Sequence, residues 1–86
     1  MNRTELKKFV GDYLVSKVKK DAHIELTEYK SGITVCVRTP SFPSDGVAKY
    51  VEWSPAIITV YCIQSTNAIM ARLDRYLSFY DYMLAA

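Results

Sequence analysis

From residue 3 onward the apolar positions Leu6, Phe9, Val10, Tyr13 and Leu14 recur at steps of three and four. That period puts them on one face of an α-helix. Asn2 stands three residues before Glu5, the spacing in which a cap side chain and an acidic side chain exchange bonds with each other's backbone. The pattern predicts a helix over residues 3 to 19, with Glu5, Lys8 and Asp12 on its outer side and Lys17, Lys19 and Lys20 near its carboxyl end, where positive charge offsets the helix dipole. Between residues 22 and 29 the period falls to two, with Ile24 and Leu26 alternating against His23, Glu25 and Thr27. A strand with one wet face is expected there. Ile33, Val35 and Val37 alternate with Thr34, Cys36 and Arg38 in a second strand. A two-residue turn at Ser31-Gly32 would pair Leu26 with Val37 and gather the aliphatic residues of both strands on one face.

Residues 39 to 46 are rich in turn formers and hold Phe42 between Pro40 and Pro43, so they predict a loop with a hydrophobic tip. Val47 to Trp53 fits a further strand, Ser54-Pro55 a turn, and the β-branched run Ala56 to Ile63 another strand. In a hairpin of these two, Val51 faces Ile58, Trp53 and Val60 share the inner face, and Tyr50, Ile57 and Tyr61 point outward. The chain closes on its longest helical pattern, Thr66 to Ala86, in which Ile69, Leu73, Tyr76, Leu77, Tyr80, Met83 and Leu84 share a face and Ser65, Thr66 or Asn67 caps the start. The expected fold is a single small α+β domain of order α-β-β-β(-β)-α, an antiparallel sheet of three to four strands with both helices on one face.

Composition narrows the function more by exclusion than by indication. Half of the 86 residues are hydrophobic and 23% are charged, a balance that suits a folded globular chain. Eleven basic and nine acidic residues leave a formal charge of +2, too even to imply nucleic acid or anionic lipid as a partner by total charge. No apolar stretch approaches the roughly 18 residues of a membrane span, and no signal-peptide pattern follows Met1, so a cytoplasmic protein that does not enter the membrane is expected. In a reducing compartment Cys36 and Cys62 would stay free thiols, Cys36 on the outer sheet face and Cys62 on the inner one. His23 is the only histidine, and with two cysteines it matches no zinc spacing. His23 and Cys36 fall on one face, but no third group orients them for nucleophilic catalysis, and three scattered glycines form no phosphate loop. The chain is therefore expected to be no enzyme and to carry no metal or cofactor.

What remains is surface. Seven tyrosines in so short a chain exceed what a small core holds, and tyrosine is enriched at interfaces. On the expected outer sheet face Ile57, Tyr61 and Ile63 stand where solvent should be, and on the last helix Arg72, Arg75, Phe79 and Tyr82 share a flank. These residues, with Phe42, point to a non-enzymatic protein-binding module that acts as a regulator, adaptor or inhibitor of a larger protein, and to a homodimer through the apolar sheet face or the edge of its last strand. Small accessory inhibitors carried by viruses and mobile elements are of this size. The alternative is nucleic-acid binding through Lys17, Lys19, Lys20 and the Arg72 and Arg75 flank. The order of helix, antiparallel strands and helix is similar in outline to a double-stranded-RNA-binding domain. That family grips phosphates with lysines at the start of its last helix, whereas residues 65 to 70 here have none.

Overall fold

A computed structural model describes residues 1–38, 57–79 and 84–85. Its elements are helix α1 (Arg3–Lys17), strands β1 (His23–Tyr29), β2 (Gly32–Arg38) and β3 (Ile58–Tyr61), and helix α2 (Thr66–Ser78). The strands form one antiparallel sheet in the order β1-β2-β3. The α+β arrangement follows the hydrophobic pattern. Leu6, Val10 and Leu14 of α1 and Ile69, Leu73, Tyr76 and Leu77 of α2 pack with Ile33, Val35, Val37 and Val60 in one core, so both helices lie on the aliphatic side of the sheet. Burying each such aliphatic side chain contributes on the order of 1.5–3 kcal/mol. The strand expected over Val47 to Trp53, its pairing with Ile58 and the loop tip Phe42 lie outside the described residues.

Each helix begins on a side-chain cap. Asn2 accepts from the Glu5 amide at 2.8 Å while Glu5 Oε1 accepts from the Asn2 amide at 3.1 Å, so the amino end of α1 carries a complete capping box. Ser65 Oγ accepts from the Ala68 amide at 3.1 Å and caps α2. α1 stops at Lys17, two residues short of the expected end, because the β-branched Val18 turns extended and buries itself in the core.

The hairpin between β1 and β2 differs from expectation by two residues. Its loop is Lys30-Ser31, so Leu26 pairs with Val35 rather than with Val37, and Tyr29 with Gly32. Lys30 takes the left-handed conformation, φ 50°, that a glycine would adopt more cheaply. Gly32 is needed one step later, inside β2. A Cβ there would come within 2.3 Å of the Val60 carbonyl oxygen on the neighbouring strand, so only glycine allows β3 to lie this close. A shift of two preserves every side chain's face, and the aliphatic residues still converge on the core.

The larger correction concerns the carboxyl end. The helical pattern extends to Ala86, yet α2 ends at Ser78. Ser78 Oγ donates to the Arg75 carbonyl, and the Phe79 amide donates to the Tyr76 carbonyl three residues back, both of which close the final turn. Leu84 instead forms an antiparallel bridge with Val18, and the Ala85 amide donates to the Lys17 carbonyl at 3.0 Å. That bond satisfies one of the carbonyls left open at the end of α1. Leu84 still packs on the core, but as extended chain.

Candidate functional site

The side of the sheet turned away from the helices is built from the polar phase of each strand. Tyr29, Gly32 and Tyr61 form one row across it, and Thr27, Thr34 and Thr59 the next. Tyr29 is 47% exposed and Tyr61 41%, and the ring of Tyr61 leans over Gly32, where a Cβ would meet its Cδ1 at 3.0 Å. Ile57, just before β3, is 64% exposed, and Ile63, in the turn after it, is 94% exposed. These four side chains give the sheet surface an apolar rim beside its threonine row. Tyr29 also carries the Lys30 ammonium over its ring, 5.4 Å from the centroid.

Several backbone groups on the far side of β3 already have partners. The Cys62 amide donates to the Ser31 carbonyl, so by the antiparallel alternation Thr59 and Tyr61 turn their own groups away from β2. Arg72 Nε donates to the Thr59 carbonyl at 3.0 Å, and Gln64 Oε1 accepts from the Tyr61 amide at 2.8 Å. Val37 is the next bonding residue of β2 beyond Val35, past the end of β3. Its amide donates to the buried Tyr76 hydroxyl at 3.2 Å, so a side chain of α2 continues the ladder.

Arg72 thereby ties α2 to β3, and Arg75 and Phe79 stand exposed along the same helix. Phe79 is 70% exposed. Tyr82 and Phe42 lie outside the described residues, so of the expected contact residues the structure places Ile57, Tyr61, Ile63, Arg72, Arg75 and Phe79. Tyr29 belongs with them. Its position was readable from its alternation, and its partnership with Tyr61 depends on β3 lying next to β2.

At the other end of the outer face Glu25 sits between two bases, with His23 Nε2 at 3.5 Å and Arg38 at 3.3 Å from Oε1. Cys36 pairs with Glu25 across the strands but is only 5% exposed, so it is a buried residue rather than the expected surface one. Cys62 is partly buried against the core, and no disulfide joins it to Cys36. One further polar contact joins the helices: the Tyr13 hydroxyl donates to Asp74 Oδ1. That hydrogen bond, with partial burial and the negative charge of the carboxylate, pushes the Tyr13 phenol up to about 12. Among the described residues no helix is long and apolar enough to cross a membrane. Comparison with protein-family models, with curated proteins and with solved structures finds no match for this chain.

Proposed function

We propose that this chain is a non-enzymatic protein-binding module, a regulator, adaptor or inhibitor that works in the cytoplasm and self-associates through the outer face of its sheet. The observation that carries the reading is the exposure of Ile57, Tyr61 and Ile63 on and around one short strand, with Tyr29 beside Tyr61 across Gly32. Large apolar side chains grouped in this way lose water-exposed area when another surface covers them. Contact through the face is favoured over contact through the strand edge, since the Thr59 carbonyl and the Tyr61 amide already have partners. Nucleic-acid binding has less support. Arg72 Nε is engaged by the Thr59 carbonyl, and Lys17 sits over the Tyr13 ring, 5.5 Å from its centroid.

Sedimentation of the wild type beside the double variant Tyr61→Lys, Ile63→Lys tests the proposal. Both positions are exposed, so the variant is expected to fold and to sediment as a monomer where the wild type is a dimer. A wild type that stays monomeric at concentrations of about 500 µM overturns the self-association, because a contact weaker than a Kd near 1 mM is worth only about 4 kcal/mol.

A further inference from the structure

The second surface feature lies at the seam between the end of α1 and the start of β1. Val15, Val18, Lys19, Lys20, Ala22 and Ile24 line a cavity of about 200 Å³. Its floor is aliphatic, and Val15 on its wall is 69% exposed. Lys19 and Lys20 bring two basic side chains to its lining. Most of the described carboxylates are engaged elsewhere in the molecule. Asp12 pairs with Lys8, Glu28 with Arg3 and Glu25 with Arg38, while Asp74 accepts from Tyr13 and Glu5 belongs to the cap. Among the described residues Lys17, Lys19 and Lys20 have no acidic partner, and Asp21, next in sequence, makes no ion pair with them.

We infer that this cavity is a docking site for an acidic peptide segment of another protein, one that inserts a single aliphatic side chain between Lys19 and Lys20 and sets carboxylates against the lysines. Size and charge select this occupant together. Pockets for small organic ligands start at about 300 Å³, so this one holds an anchor side chain rather than a whole cofactor or acyl chain. An aliphatic floor offers nothing to a phosphate or a base edge, whereas a buried anchor ringed by charge contacts is how short segments are held. The lysines supply both steering and the register of the bound chain. The inference is independent of the sheet face: it uses none of the same residues, and a monomer would bind as well as a dimer.

The test is an amide NMR titration of the full chain with a blocked acidic pentapeptide, Asp-Glu-Leu-Asp-Glu. Shifts are expected at Val15, Val18, Lys19, Lys20, Ala22 and Ile24, with an affinity on the order of 1 mM as befits one anchor. Replacing the peptide's leucine by alanine is expected to weaken binding about tenfold, since the lost burial exceeds 1.4 kcal/mol. The exposed-residue variant Lys19→Glu, Lys20→Glu is expected to abolish the shifts while leaving the rest of the spectrum unchanged. Three results would overturn the inference: no shift at about 5 mM peptide, binding indifferent to the leucine, or tighter binding at the same residues by a single-stranded oligonucleotide or by anionic vesicles.

Discussion

Gly11 and Gly32 pose the same substitution in two surroundings. In the middle of α1 a Cβ on Gly11 would approach only the Cδ1 end of Leu26, at 3.4 Å, an ordinary contact with an atom that can give. Gly11→Ala is therefore expected to leave stability unchanged or raise it by up to about 1 kcal/mol, the helix preference of alanine over glycine. In β2 the new Cβ meets a backbone oxygen at 2.3 Å, and β3 must move to admit it. Gly32→Ala is expected to cost about 1–3 kcal/mol, in the range of overpacked cores. Urea denaturation of both variants checks the pair, and a Gly32→Ala as stable as the wild type would mean that β3 does not lie where the register puts it. Tyr76 makes a second residue-scale case. Its hydroxyl is the acceptor for a buried Val37 amide, so Tyr76→Phe removes one oxygen and about 1–3 kcal/mol of stability, with little change in packing volume.

At the level of elements, α1 and α2 are joined by a titratable bond. The bond to Asp74 pushes the Tyr13 phenol up to about 12 in the folded protein, above the ordinary tyrosine value of about 10. The folded state thus binds this proton more tightly than the unfolded state, and the stabilisation is fully present below pH 10 and lost as pH rises through 12. Denaturation midpoints followed from neutral pH to about pH 12 should fall more steeply for the wild type than for Tyr13→Phe. Parallel slopes would show that the bond to Asp74 does not persist in solution. The same level shows what the amino-acid pattern can and cannot specify. Faces of strands and helices were legible, since Ile24, Leu26, Val35, Val37 and Val60 all turn to the core as their alternation requires. The hairpin register was not, because a slip of two residues leaves every face unchanged, and the loop closes at Lys30-Ser31 through a left-handed lysine that its residue type does not announce. The end of α2 was not legible either. Leu84 can reach the core as the last turn of a helix or as a docked strand, and the open carbonyl of Lys17 decides between them. Of the candidate surface, the outward direction of Tyr61 followed from strand phase, whereas β3 ends before Ile63 and the Arg72 bond to the Thr59 carbonyl needed a tertiary neighbour.

For the molecule as a whole, the two proposed surfaces lie apart. One is the outer side of the sheet and the other the seam at the end of α1, so a chain that pairs with its own copy through the first leaves the second free for a different protein. The connectivity also orders assembly in time. β1 and β2 meet through a two-residue loop, but the bond from Val37 to Tyr76 closes 39 residues of chain and that from Tyr13 to Asp74 closes 61. Loops of this length carry the larger closure entropy, and contacts that span them tend to form after local ones. The expected nucleus is therefore the sheet with α1 laid over it, with α2 docking after the rate-limiting barrier. In a chevron analysis Tyr76→Phe should steepen neither arm but raise the unfolding rate, with a φ-value near zero, whereas Leu26→Ala in the hairpin should slow folding. Slowed folding in Tyr76→Phe would place α2 inside the nucleus. With late docking, the hydroxyl that completes the ladder beyond β3 acts as a kinetic latch: it sets how long the folded state lasts, and leaves the speed of its formation to the hairpin.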